Sequence, residues 1–158
     1  MTHKQLVDSA AKWLRNSKRC PVVIRELVTY AGEIPDVIGF FVGGHSILIE
    51  CKASKADFLH DREKIYRYCR EQGMGDERYF VAPQNLLSPD EIPDAWGFIE
   101  AYENPIHPNR ISLRIVKDSS TFTSSNKHSE ITMLVSAIRR LELSTAVFVR
   151  QEDDDREG

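Results

Sequence analysis

The stretch Ile34–Lys52, IPDVIGFFVGGHSILIECK, contains two short apolar segments separated by a Gly-Gly pair. Short apolar runs bounded by turn residues are typical of strands, and paired glycines favour a tight hairpin turn. We therefore predict a β-hairpin here. Charged residues nevertheless stand at one end of this hairpin, because Asp36 opens the first strand while Glu50 and Lys52 close the second.

The predicted hairpin brings these three charges together. Side chains alternate between the two faces of a strand, so Glu50 and Lys52 point to one side and Cys51 to the other. A hairpin also pairs the start of its first strand with the end of its second. We therefore expect Asp36 to lie next to Glu50 and Lys52, at one end of the sheet.

Two neighbouring carboxylates beside an ammonium group favour a site for a divalent cation. Carboxylates a few ångströms apart repel each other unless a cation lies between them. Mg²⁺ prefers oxygen ligands and is commonly held by one or two carboxylates, water and substrate phosphate. Lys52 would orient or deprotonate a water, or neutralise charge on a phosphate. The alternative is a turn aspartate near an exposed Glu–Lys pair, but the combined spacing favours phosphodiester hydrolysis.

The whole chain predicts an α/β fold in the order α-β-β-β-α-β-β-β-α, with helices packed on a central mixed sheet. We predict helices over 3–17, 56–73 and 129–142, strands over 22–30, two within 34–52, and further strands over 78–83, 96–102 and 110–117. Residues 84–95 are expected to form a loop with at most one helical turn, because two prolines interrupt them. The last helix should place one apolar face on the sheet: Ile131, Leu134, Val135, Ile138 and Leu141.

Composition limits the classes of protein that the chain can represent. Its 158 residues, 41% hydrophobic and 28% charged, predict one globular domain over 1–150 and an acidic, disordered tail over 151–158. No apolar run is long enough to cross a membrane and no secretory leader is evident, so we expect a cytoplasmic protein. The three cysteines are scattered, which predicts free thiols and no zinc site. With a net charge of -3, any phosphate-binding surface must be a local patch.

The motif residues carry a resemblance to a known superfamily. Pro35-Asp36 followed by Glu50-Cys51-Lys52 at the end of an apolar strand resembles the PD-(D/E)XK motif of restriction-endonuclease-like nucleases. The element order through about residue 83 is similar to the αβββαβ core of that superfamily. Over roughly residues 20–116 the chain resembles MmcB-like DNA repair proteins, and a phage or mobile-element relative is an equal alternative.

The resemblance implies a role for each matching position. It implies that Asp36 and Glu50 are metal ligands, that the backbone carbonyl of Cys51 is a third ligand, and that Lys52 is the catalytic lysine. Members often add an acidic residue from the first helix or strand, and here Glu26 is our choice. Glu33, which we expect to be a solvated turn residue, is left as the other candidate. The implied cofactor is Mg²⁺, for which Mn²⁺ would substitute.

The second predicted helix adds candidate auxiliary residues. Spacings of four, three and four residues place Asp57, Asp61, Lys64 and Tyr68 on one polar stripe. A separate apolar face should pack on the sheet: Phe58, Leu59, Ile65, Tyr66 and Cys69. An ordinary surface ion pair and a helix-capping aspartate explain the stripe equally well. The matching stripe in the resembling family favours Asp57, Lys64 and Tyr68 as auxiliary residues.

Arginines on the same helix predict contacts with nucleic acid. Arg62, Arg67 and Arg70 would add positive charge near the site and contact phosphates. Arg139 and Arg140 on the last helix are expected to form a solvated face.

Three functional hypotheses follow. The first is a Mg²⁺-dependent endodeoxyribonuclease acting in DNA repair, recombination or phage DNA processing. The second is a nucleic-acid-binding module on the same fold that no longer cuts. The third is a protein-interaction domain, supported only by the acidic tail and the mild net charge. The structure of the nucleic acid bound, and whether the protein forms a homodimer, are left open.

Overall fold

One mixed six-stranded sheet forms the centre of the computed structural model, which describes residues 1–29, 33–61 and 71–141. The elements are α1 (His3–Asn16), β1 (Val22–Arg25), β2 (Val37–Phe40), β3 (Ser46–Cys51), α2 (Lys55–Asp61), β4 (Glu77–Pro83), a 3₁₀ helix (Pro89–Glu91), β5 (Gly97–Glu103), β6 (Ile111–Lys117) and α3 (Lys127–Arg140). The predicted α/β class, with helices flanking a mixed sheet, is confirmed. The single helical turn expected in 84–95 is also present.

The six strands lie in sequence order across the sheet. β1, β2 and β3 are antiparallel, β3, β4 and β5 are parallel to one another, and β6 returns antiparallel to β5. Parallel neighbours require a crossover connection, and α2 lies in the connection between β3 and β4. The carboxyl ends of β3, β4 and β5 therefore share one edge of the sheet.

Apolar side chains cover both faces of this sheet, which explains why β2 and β3 read as continuous apolar runs. On one face, α1 packs with Leu6, Val7, Ala10 and Leu14 against Val37, Ile47, Ile49, Tyr79 and Val81. On the other face, Phe58 of α2 and Met133 of α3 join Ile38, Leu48, Phe80, Trp96 and Phe98. All of these side chains are buried, and burial of each Val, Leu, Ile, Phe or Met among them contributes about 1.5–3 kcal/mol relative to exposure.

The first helix follows the predicted range closely. Thr2 and Gln5 form a reciprocal capping box at its start, which satisfies backbone amides that the helix leaves without partners. The helix and the loop after it lie close to the sheet at Gly39, where a Cβ atom would stand 3.2 Å from Leu14 Cδ1 of α1 and 2.7 Å from Sγ of Cys20, which follows the helix. Any larger residue at this position would push α1 and the sheet apart.

The first strand is shorter than predicted. It ends at Arg25, whereas the β-branched composition predicted a strand over 22–30. Glu26 has a φ of 46°, which is incompatible with an extended strand, and this residue ends β1. The predicted hairpin of β2 and β3 is confirmed, with Gly43 and Gly44 at positive φ in its turn.

The last helix presents a different face to the core from the one predicted. Met133 is buried, and Leu134 and Ala137 pack against the core beside it. Four of the five residues predicted to face the sheet are exposed: Ile131, Val135, Ile138 and Leu141. Asn126 caps this helix by accepting a hydrogen bond from the Ser129 N–H, and Glu130, on the same face as Met133, is buried and accepts hydrogen bonds from Ser46 Oγ and the Gly75 N–H.

The second helix is described over its first two turns. Phe58 is buried as predicted, but Leu59 is 48% exposed rather than packed on the sheet. Residues 62–70 of that predicted helix, and the predicted acidic tail within 142–158, lie outside the described residues. Within the described ranges, no helix is both long and apolar enough to cross a membrane.

Candidate active site

Asp36 is held directly against the end of β3. The register pairs Val37 with Ile49, so Asp36 stands one residue before the paired strand, opposite Glu50. Its Oδ2 accepts a hydrogen bond from the backbone N–H of Cys51 at 2.7 Å. The predicted adjacency of Asp36 to the end of the second strand is therefore confirmed.

A buried charge cluster lies at the same end of β3. The Lys52 Nζ is 3.5 Å from an Oε2 of Glu50 and 3.3 Å from an Oδ1 of Asp61. The three side chains are each no more than 5% exposed. Together they carry a formal charge of -1, which Asp36 makes more negative. Burying such a group costs free energy unless close ion pairs and hydrogen bonds offset the lost hydration.

Local structure explains how Asp61 reaches this cluster. Ser54 Oγ accepts a hydrogen bond from the Asp57 N–H and so caps the start of α2 directly after β3. Asp61 lies one helical turn beyond Asp57 and faces back towards Lys52. Asp57 itself is exposed, although its carboxylate acts on Lys52 electrostatically.

The surrounding carboxylates keep Lys52 charged. Burial alone would lower the pKa of its ammonium group, but Glu50, Asp61, Asp57 and Asp36 reverse this effect and raise the pKa above its usual value. Lys52 therefore carries a positive charge at neutral pH. A charged lysine suits the orientation of a water or the neutralisation of a phosphate better than proton abstraction.

Several acidic groups lie close enough to the Cys51 thiol to raise its pKa. Burial raises its pKa most, and the charges of Asp36, Glu50 and Glu26 raise it further, while Lys52 opposes them. Cys51 is thus a buried neutral thiol rather than a nucleophile. The resemblance to the PD-(D/E)XK motif implies that the backbone carbonyl of Cys51 is a third metal ligand, which stays a prediction.

The two candidate additional acids differ in their surroundings. Glu26 is exposed, and its backbone N–H donates to the carbonyl of Asp36 at 3.1 Å, so it borders the site. Glu33 is only 6% exposed and accepts a hydrogen bond from the Met74 N–H at 2.7 Å. The expectation of a solvated Glu33 is wrong, because this carboxylate anchors the residues that lead into β4.

Two residues at the site were not singled out from the sequence. Asp61 was assigned to the polar stripe of α2 but to no role, although its four-residue spacing from Asp57 was the available signal. His3 lies on α1, with its Nε2 3.3 Å from Asp36 Oδ2. No sequence spacing relates His3 to Asp36, because their contact depends on how α1 crosses the sheet.

The other candidate residues belong to the second predicted helix. The proposed auxiliary and phosphate-contacting residues of the second helix lie outside the described residues: Arg62, Lys64, Arg67, Tyr68 and Arg70. Their predicted roles stay predictions.

The side chains present are suited to a hard divalent cation. Asp36 and Glu50 offer carboxylate oxygens in a net negative, largely buried setting, which is the chemistry that Mg²⁺ prefers. Over 1–29, 33–61 and 71–141, no group of three or more His, Cys, Asp or Glu residues has the arrangement of a metal site. A Mg²⁺ ion held by two carboxylates, a backbone carbonyl and water would need no such group, so the magnesium site stays a prediction.

Comparison with known proteins gives information about the fold alone. No family model matches the chain, and no curated protein matches it. One solved structure, the SPO1766 protein of unknown function from Silicibacter pomeroyi, aligns with a TM-score of 0.63 and 21% sequence identity. The alignment covers 94% of this chain and 98% of that one. At this identity the similarity supports a shared α/β fold.

Proposed function

We propose that this chain is a divalent-metal-dependent nuclease that hydrolyses DNA phosphodiester bonds with a PD-(D/E)XK site on a restriction-endonuclease-like core. Repair, recombination or phage DNA processing are the settings that this proposal implies. One observation carries it: the buried Glu50–Lys52–Asp61 cluster adjoins Asp36 at the carboxyl edge of the sheet. Polar groups outside the carboxyl ends of parallel strands are a common location for ligand sites.

Each residue has a definite task under this proposal. Asp36 and Glu50 would hold a Mg²⁺ or Mn²⁺ ion together with the Cys51 carbonyl. When bound, such an ion activates water and stabilises charge on the phosphate. Lys52 would orient the attacking water and neutralise charge on the phosphate oxygens, and Asp61 would act as a positioning residue for the Lys52 ammonium. Glu26 borders this site and is the proposed additional acid.

The nuclease proposal is tested by cleavage of plasmid, single-stranded and flapped DNA with Mg²⁺ or Mn²⁺. Nicking of closed plasmid would identify an endonuclease. We expect Asp36→Asn and Lys52→Met to lose at least about a hundredfold in rate, as is typical for loss of one charge-stabilising group. Asp94→Asn is the matched control, because Asp94 is exposed and precedes β5, at the opposite edge of the sheet. Wild-type activity no higher than that of Asp36→Asn on every substrate would refute the proposal.

A nucleic-acid-binding domain that does not cut is the second candidate. It is favoured by the fact that the carboxylates already have protein partners, since Asp36 binds the Cys51 N–H and Glu50 binds Lys52. Such a domain would bind DNA with a strong dependence on salt, and EDTA would not change its affinity. Magnesium-dependent cleavage that Asp36→Asn abolishes would exclude this candidate.

A further inference from the structure

The amino-terminal end of this acidic protein carries a net positive charge. Residues 1–25 contain six lysines and arginines and only one acid, Asp8, a formal charge of +5. Because the whole chain carries -3, the remaining residues carry -8. This segment forms α1 and β1, so folding turns the uneven sequence into a local basic surface of the kind that binds phosphates.

The cations of this surface are exposed, so a polyanion can contact them. Lys4, Lys12 and Arg15 are exposed, and their separations of eight and three residues place them on one stripe of α1. Asp8 lies on the same stripe, but it forms an ion pair with Arg25. Among the residues that the structure describes, no carboxylate forms an ion pair with Lys4, Lys12 or Arg15.

An open cleft runs beside this stripe, and aromatic rings line it. Its volume is about 750 Å³, and it lies between α1 and the start of β6. Trp13 and Tyr102, both partly exposed, form part of its wall together with the cations Lys12 and Arg110. Aromatic faces beside cations are the combination that binds unstacked bases and the backbone of single strands. Duplex DNA keeps its bases stacked inside and offers such rings little to contact.

The position of the cleft connects it with the candidate active site. Tyr102 is near the end of β5, and parallel strands place that end on the same sheet edge as Glu50 and Lys52. On the helix side, the cleft reaches Gln5, two residues from His3, whose ring contacts Asp36. From Gln5 to Ser17 it extends roughly 18 Å along α1, at 1.5 Å per residue.

We propose that the α1 surface, formed by Lys4, Lys12 and Arg15 with the Trp13–Tyr102 cleft, binds single-stranded DNA and leads it to Asp36. This inference rests on the proposed function, since it names the substrate class of the same site. It assigns phosphate contacts to α1, in addition to the arginines expected on the second helix.

Binding in EDTA tests this surface without any need for cleavage. The probe is a labelled oligothymidylate of about 15 nucleotides, within the site sizes of single-strand-binding folds, compared with a duplex of equal length. We expect tighter binding of the oligothymidylate. Lys12→Glu/Arg15→Glu should weaken that binding about tenfold or more and lower the salt slope by about 1.4, since each phosphate contact contributes about 0.7. Arg139→Glu/Arg140→Glu, an equal charge change on exposed residues of α3, should change the affinity less than about twofold.

Tryptophan fluorescence tests the stacking separately. The chain has two tryptophans, and Trp96 is buried at 1% exposure, so quenching by oligothymidylate should come from Trp13 and vanish in Trp13→Phe. Equal weakening by the two charge-reversal variants, quenching that persists in Trp13→Phe, or equally tight duplex binding would each overturn the inference. The two proposals fail separately. Binding without cleavage would refute the nuclease alone, while unchanged cleavage of single strands by Lys12→Glu/Arg15→Glu would refute the α1 surface alone.

Discussion

Replacing Lys52 with methionine should destabilise the protein strongly at neutral pH. Glu50 Oε2 and Asp61 Oδ1 both lie within 3.5 Å of the lysine nitrogen, so these two oxygens are no more than about 7 Å apart. At that separation, with an effective dielectric constant of about 20, two negative charges repel by roughly 2 kcal/mol. Loss of both pairings adds to this repulsion, and breaking a buried ion pair typically costs about 3–5 kcal/mol.

The measurement is the free energy of unfolding, from urea titrations followed by circular dichroism. We expect Lys52→Met to lose about 3–5 kcal/mol at pH 7. Lys55→Met is the matched control: Lys55 is 44% exposed and pairs with Glu91, so its removal should cost less than about 1 kcal/mol.

A triple variant separates the effect of the charge cluster on stability from its role in the proposed nuclease activity. Glu50→Gln/Lys52→Met/Asp61→Asn removes all three charges while keeping similar shapes. Replacing a complete buried ion cluster is often neutral or stabilising by about 1–4 kcal/mol, so this variant should recover most of the stability that Lys52→Met loses. It should nevertheless lack nuclease activity. A Lys52→Met variant within about 0.5 kcal/mol of wild type, or a triple variant as unstable as the single one, would refute this reasoning.

Three further perturbations test other parts of the molecule. Gly39→Ala should cost about 1–3 kcal/mol in urea unfolding, because its Cβ would overlap Cys20 Sγ, and unchanged stability would contradict the close packing of Cys20 and Leu14 on this strand. The pKa of Asp76 is lowered because hydrogen bonds, chiefly from Lys127, outweigh its burial, so its contribution is present above the usual aspartate pKa and is lost as the pH falls below it. Lys127→Met should therefore flatten the acid limb of the unfolding curve between about pH 5 and 2, and an unchanged limb would contradict this. Mg²⁺ at about 100 times its dissociation constant should stabilise wild type by about 2.7 kcal/mol and Asp36→Asn by much less, measured as a shift in the unfolding midpoint.

The sheet and one helix could be predicted because their signals are local. The apolar hairpin of β2 and β3 and the amphipathic spacing of α1 depend only on neighbouring residues, and the structure places both where the sequence predicts them. The end of β1 at Arg25 could not be predicted from the sequence. The β-branched composition favours a longer strand, but Glu26 adopts a positive φ, which ends it. The prediction of which face of α3 packs on the sheet was also wrong. The apolar residues of α3 are spaced for a buried stripe, yet the buried face carries Met133 and Glu130, whose carboxylate accepts hydrogen bonds from Ser46 and Gly75, far away in the sequence.

The site was predictable to the extent that strand pairing determines it. Alternation and hairpin pairing relate Asp36 to Glu50 and Lys52, and both are local rules. Asp61 joins them through the angle at which α2 leaves β3, and His3 through the crossing of α1 over the sheet. Neither angle has a sequence signal. For the same reason Glu33 reads as a turn residue but is buried against Met74, which is distant in sequence.

The basic surface of α1 lies beside the acidic cluster, and the two have complementary roles under the two proposals. The carboxylates of Asp36, Glu50 and Asp61 would repel the phosphates of DNA, so they alone cannot recruit a nucleic-acid substrate. The exposed cations of α1 supply the opposite field, and α1 reaches Asp36 through His3. Under the two proposals, the DNA strand binds to the cations of α1, and the scissile phosphate lies at the carboxylate cluster beside the start of that helix. The two kinds of variant should therefore affect different quantities. Charge reversal on α1 should weaken substrate binding and reduce its salt dependence. Asp36→Asn should abolish cleavage with little loss of binding in EDTA.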